Sequence, residues 1–192
     1  MKKVLFIYIC LICLFGSTMT AEASYDTKPV AFIVMDRTGE VDNILFKDWE
    51  QQVRQGYHVP YYSIVDSKEP TRIAQELIAA KGEKTAQLDK KLLQQIATEA
   101  KVNVVTLMII HKMTEVPLRG ISWGNPWSDN DSLTRMYAFA DMYVYKLDEN
   151  KMLKKILRYV DIDDAALITP SKTVIKYEMR SLVNTMENRP QL

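Results

Sequence analysis

Pro29-Val30-Ala31-Phe32-Ile33-Val34-Met35 is an uninterrupted apolar run that carries three β-branched residues and ends at Asp36 to Gly39. A strand that alternates would bury one face. A strand apolar at every position is buried on both, as the central strand of a parallel arrangement is. This run therefore predicts a sheet with helices on both sides and sets the frame for the rest of the chain.

Downstream, Asp42 or Asn43 can cap a helix whose apolar stripe is Ile44, Leu45, Trp49 and Val53, with Gly56 as its C-cap. Tyr57 to Val65 reads as a strand. Pro60 inside it has no N–H to donate, which places it at a sheet edge. Ser67 then caps a helix with Pro70 in its first turn and Gly82 at its end. A further helix runs from about Leu88 to Lys101, with Leu88, Leu92, Leu93, Ile96 and Ala100 at helical spacing.

The remainder is rich in strands. Val102 to Met113 is a long apolar strand, and Thr134 to Leu147 is a second. The turn cluster Asp148-Glu149-Asn150-Lys151 folds the next strand, Leu153 to Ile162, back as a hairpin. Thr169-Pro170 opens the last helix, whose buried stripe is Val174, Ile175, Met179, Leu182, Val183 and Met186. Right-handed crossovers make the first three strands parallel, and hairpins append two more. The expectation is an α/β (α+β) fold with one mixed five-stranded sheet in the order 2-1-3-4-5, its helices packed on it. Pro60 on one edge and Lys154, Lys155 and Arg158 on the other are the residue types that keep edges from pairing.

That order of elements resembles the TolB amino-terminal domain and the periplasmic domain of the curli export lipoprotein. The opening strand Val30 to Met35 carries the resemblance, together with the helix-to-strand step Ile96-Ala97 through Val102-Asn103-Val104-Val105. Those families often show Gly-Ala-Asp at the step and a glycine at the strand end. Here the step is Lys101-Val102-Asn103 and the next glycine is Gly120, so no functional residue is carried over. The resemblance implies an envelope-associated, non-enzymatic domain that binds partners.

The amino terminus points to the same compartment. Lys2 and Lys3 precede the apolar run Val4 to Phe15, and Ala21-Glu22-Ala23 closes the segment. This is the tripartite pattern of a secretory signal. The run is shorter than the roughly 20 residues a membrane span needs. Residues 1–23 are expected to be removed, leaving residues 24–192 as one exported domain, periplasmic or extracellular, with no membrane insertion. Cys10 and Cys13 follow Ile9 and Ile12 within the apolar run, which is not a lipidation context. Both leave with the signal, so the mature chain has no disulfide and no thiolate. Loss of Lys2, Lys3 and Glu22 takes 25 basic and 24 acidic residues to 23 of each. That balance offers no general attraction to nucleic acid.

No G-x-S-x-G, G-x-x-x-x-G-K or G-x-G-x-x-G occurs, so neither serine hydrolysis nor a nucleotide cofactor is indicated. Asp129-Asn130-Asp131 and Asp161-Ile162-Asp163-Asp164 offer oxygen ligands but lack the register of a calcium loop. No metal or cofactor is expected. The histidines are His58 and His111. A small carboxylate- and histidine-dependent hydrolase would require His111 to meet Asp141 or Asp161 in a cleft. The leading expectation is instead a binding module for a protein or another envelope component. Its candidate contact loop runs from Arg119 to Ser132 and holds Arg119, Trp123, Asn125 and Trp127. Tryptophan is enriched at binding hot spots, and the loop is long for a hairpin. In the strand that follows, Tyr137, Phe139, Asp141, Tyr143 and Tyr145 share one face. That face is either the half-open side of the sheet or the side covered by the last helix.

Overall fold

Strand β1, Lys28–Asp36, lies inside the sheet, with Val30, Ala31, Phe32 and Ile33 fully buried. It belongs to a computed structural model that describes residues 26–57, 60–82, 88–118 and 133–189. The other strands are β2 (Tyr62–Ile64), β3 (Val104–Leu118), β4 (Leu133–Lys146) and β5 (Lys151–Asp164). The helices are α1 (Asn43–Gly56), α2 (Lys68–Ala80), α3 (Lys90–Glu99) and α4 (Ser171–Met186). The sheet is five-stranded in the order β2-β1-β3-β4-β5, as the sequence predicts. Strand β1 pairs parallel with β2 and β3, and the β3-β4 and β4-β5 pairs are antiparallel.

Each face of the sheet carries its own core. On one side α1 and α4 bring Trp49, Val53, Ile175 and Met179 against Phe32, Met108, Ala140 and Met142. On the other, α2 and α3 bring Ala74, Leu92, Leu93 and Ile96 against Ile33, Leu107, Tyr143 and Tyr145. This is why β1 has to be apolar at successive positions: Phe32 and Ile33 enter different cores.

Several local readings change in three dimensions. Strand β2 is short, and Pro60 precedes it in a turn. Tyr57 is not a strand residue: it caps α1 and is buried, and its hydroxyl lies 2.9 Å from Thr106 Oγ1. Burial raises its pKa above that of an ordinary tyrosine. Gly56 is the last residue of α1 rather than a left-handed C-cap. A Cβ there would stand 2.5 Å from Val183 Cγ1, so glycine lets α1 approach α4. Ile44, assigned to the apolar stripe of α1, is 79% exposed. At the start of α4 no side chain caps from the expected Thr169-Pro170. Glu115 of β3 does so instead, accepting from Ser171 N at 2.8 Å and Ser171 Oγ at 2.9 Å.

The turn from β1 into α1 is organised by Asp36. Its Oδ1 accepts from Thr38 N at 2.8 Å and its Oδ2 from Val41 N at 2.8 Å, immediately before Asp42 caps α1 at Leu45 N. Burial pulls the Asp36 pKa up, but the hydrogen bonds from Thr38 and Val41 outweigh it and hold the carboxyl below the ordinary aspartate range. A folded-state pKa below the unfolded one gives stability that is present above the ordinary value and lost as pH falls through the folded value. Asp36→Ala is expected to cost about 1–2 kcal/mol at neutral pH, since it leaves charge-assisted backbone donors unpaired. Urea melts of the two proteins should converge in acid, and a difference independent of pH would count against this role.

Candidate functional site

Helices α2 and α3 cover only half of their side of the sheet. Along β4, Tyr145 and Tyr143 are fully buried beneath them, Asp141 is 3% exposed, and Phe139 and Tyr137 are partly open. Helix α4 packs on the opposite face, so the tyrosine row is neither wholly open nor covered by the last helix. It is divided at Asp141.

A β-bulge lies beside that division. Ile110 pairs with Ala140 and Lys112 with Phe139, so His111 is the extra residue of β3. A bulge reverses the alternation beyond it. Before it Leu107 and Ile109 lie on the side of the sheet that α2 and α3 cover; after it Lys112, Thr114 and Val116 take that side, beyond those helices. Those three positions pair with Phe139, Tyr137 and Arg135, which in turn pair with Arg158, Val160 and Ile162 of β5. Among the described residues no helix packs on this part of the sheet. Val116 is 42% exposed, Val160 49% and Ile162 46%.

Cations and rings are interleaved here. Lys112 Nζ sits 3.6 Å from the Tyr137 ring centroid, and Tyr137 meets Phe139 edge-to-face at 6.0 Å. Arg158 lies 6.0 Å from the Phe139 ring and donates from Nη2 to Asp141 Oδ1 at 2.8 Å. His111 Nε2 is 2.9 Å from the other Asp141 oxygen. The buried carboxylate thus ties the bulge of β3 to the edge strand through β4. Stacked cations and aromatic rings make a surface that is apolar in body and positive at its tips.

The convergence of His111 with Asp141 is the contact a hydrolase would need. Here it occurs where the helix-covered part of the sheet ends, with Asp141 buried and its two carboxylate oxygens engaged by Arg158 and His111. Asp161 belongs to the other face of β5, where its Oδ2 accepts from Tyr159 Oη at 3.2 Å. Two concavities among the described residues lie elsewhere. One, of about 550 Å³, lies between the amino-terminal ends of α1 and α4 and is lined by Trp49, Glu115 and Lys172. Another, of about 610 Å³, lies beside α1 and α2. No group of three His, Cys, Asp or Glu side chains among the described residues is placed to hold a metal ion. No described helix is long and apolar enough to cross a membrane.

Arg119, Trp123, Asn125 and Trp127 lie outside the described residues, as do His58 and Asp129 to Asp131. Their loop joins two strands whose last described pair is Leu118 with Leu133, beyond the uncovered face. Sequence reasoning found Asp141 and the aromatic row but missed Lys112 and Arg158 as their partners. The even positions Ile156, Arg158, Val160 and Ile162 of β5 held that signal, since they share a face with Phe139 and Tyr137.

No protein-family model matches the chain, and no curated protein matches it. Solved structures are similar in backbone course. The hypothetical protein CT253 from Chlamydia trachomatis aligns at 11% identity over 84% of this chain and 96% of its own, with a TM-score of 0.46. PelC from Paraburkholderia phytofirmans, solved as a dodecamer, aligns at 8% identity over 86% of this chain and 90% of its own, with a TM-score of 0.38. The C-terminal domain of LpoB from Salmonella enterica aligns at 8% identity over 78% of this chain and 91% of its own, with a TM-score of 0.30.

Proposed function

We propose that the chain is an exported, non-enzymatic interaction module of the cell envelope or the extracellular space that binds a protein partner. The observation that carries this reading is the half-face of the β3-β4 hairpin that no described helix covers. Val116, Tyr137 and Phe139 stand there with Lys112 and Arg135 among them. Exposed apolar patches rimmed by polar groups mark interaction sites more often than they mark idle surface. The Lys2 to Ala23 signal pattern supports export. The Asp141 carboxylate supports a structural role, because it joins His111 of β3 to Arg158 of β5 across the sheet.

Trp123 and Trp127, with Arg119 and Asn125, extend this reading to the loop joining the two strands. Trp123→Ala or Trp127→Ala is expected to leave stability within about 0.5 kcal/mol, as at ordinary surface sites. The same changes should weaken partner capture by about 2 kcal/mol or more, as hot-spot aromatics do. Thermal melts and titration of each variant against a protein captured from the envelope fraction separate the two effects. Large destabilisation at both positions would make the loop a lid on the core. Hydrolysis of an ester, phosphate or glycoside substrate that His111→Ala abolished would overturn the non-enzymatic reading.

A further inference from the structure

Strand β5 is an edge strand of 14 residues, and among the described residues it pairs on one side, with β4. Its side chains hold charge in an ordered way. Lys151, Lys154 and Lys155 occupy the first half, and Asp161, Asp163 and Asp164 the second. Its exposed apolar residues Ile156, Tyr159 and Val160 lie between and Ile162 among the aspartates, each 41% to 49% exposed. The positive charges read from sequence as an edge guard also make contacts within their own domain. Lys155 pairs with Glu178 of α4, Arg158 with Asp141, and Lys154 lies over the Tyr143 ring at 5.7 Å.

We infer that β5 pairs antiparallel with β5 of a second copy of this chain, about a two-fold axis at Tyr159, so that the two sheets continue as one. A two-fold axis perpendicular to a sheet keeps each side chain on its own face, so it can set opposite one another only residues whose numbers are both even or both odd. With the axis at Tyr159, Lys154 meets Asp164 of the second copy, Lys155 meets Asp163, and Ile156 meets Ile162. Arg158 meets Val160, and Tyr159 meets its own equivalent. Symmetry doubles every pair. Moving the axis one residue to Arg158 leaves Lys155–Asp161 as the opposite-charge pair and sets Lys154 against Ile162. A parallel pairing in register would oppose lysine to lysine and aspartate to aspartate. Opposite charges across a strand pair stabilise it and like charges destabilise it.

The edge backbone adds ladder hydrogen bonds that need no particular side chain, with the N–H groups of Ile162 and Asp164 exchanging their present contacts with Asp161 and Asp163 for the second strand. The pairing also removes Ile156, Val160 and Ile162 from partial exposure. It goes beyond the proposed function and is independent of it. The uncovered faces of the two copies would become continuous, whatever else they bind.

Charge reversal tests the register. The exported chain should be a dimer by sedimentation, and it should weaken as salt is raised, because the ion pairs are exposed. Two double variants are made: Lys154→Glu with Lys155→Glu, and Asp163→Lys with Asp164→Lys. In either variant alone, the two-fold register opposes like charges. Self-association should fall about tenfold or more, given the energy of four cross-strand pairs. In an equimolar mixture, the new carboxylates of one variant face the new ammoniums of the other, and dimers containing one copy of each should form. Their recovery also shows that both variants are folded. A monomeric native chain at high concentration and low salt would overturn the inference. So would a dimer that either variant leaves intact, or variants that stay monomeric when mixed. Loss of partner binding with the dimer unchanged would bear on the proposed function alone.

Discussion

Replacing Trp49 with alanine is expected to lower stability by about 3–5 kcal/mol, the range for removing a large buried aromatic side chain. Trp49 is 1% exposed and joins α1 to the core shared with α4 and the sheet. Its indole Nε1 has no hydrogen-bond partner among the described residues. Trp49→Phe therefore removes volume without breaking a hydrogen bond, and its cost should stay near about 1.5 kcal/mol, as for modest changes of core shape. Ile44 on the same helix points away and is 79% exposed. Ile44→Ala should fall within about 0.5 kcal/mol. Urea unfolding of the three variants reads the rotational phase of α1 directly. Equal costs at positions 44 and 49 would mean that the helix is docked on another face.

Lys146→Met is expected to cost about 3 kcal/mol, because it strands a buried carboxylate. Lys146 is 5% exposed at the end of β4, with its Nζ 2.7 Å from Glu149 Oε1 and 3.1 Å from Glu187 Oε1. The Glu149 side chain is 47% exposed, so that pair contributes little. Glu187 is the partner that matters: its side chain is 11% exposed, and it ties the end of α4 to the sheet. Adding Glu187→Gln to Lys146→Met should return most of the loss, and a double-mutant cycle measures the coupling. A cycle showing no coupling would reduce the ion pair to a bystander. Burial works against the Lys146 charge, but the hydrogen bonds it donates to Glu149, Glu187 and Tyr62 outweigh it and raise its pKa above the ordinary 10.5. The contribution is thus fully present below that value and is lost only as pH rises through the higher folded one.

Features that depend on residues near one another in the chain were legible. Asp42 accepts from Leu45 N, and Gly82 ends the segment after α2 at a φ of +82°, as their types and positions suggest. The turn after β4 lies where Asp148-Glu149-Asn150 puts it, with Asn150 at a φ of +45°. Features that depend on a distant neighbour were not. Gly56 reads as a cap because glycine commonly serves there, but it is the approach of Val183 that requires it. Ser171 is capped by Glu115, 56 residues away, which no local pattern announces.

By itself the sequence determined the strand order and the two-sided core. Continuous apolarity over Val30 to Val34 admits only a central strand, and hairpin turns leave few places for β4 and β5. It also laid out the charge pattern of β5, basic before Tyr159 and acidic after it. Only the tertiary structure decided which part of the aromatic row is a surface. The same alternation that places Tyr137, Phe139, Tyr143 and Tyr145 together cannot say where a covering helix stops. Nor does it show that a single extra residue, His111, reverses the facing of β3. Helix coverage and strand register depend on contacts between segments far apart in the chain. Those contacts bury Tyr143 beneath α3 and leave Phe139 stacked between a cation and the solvent.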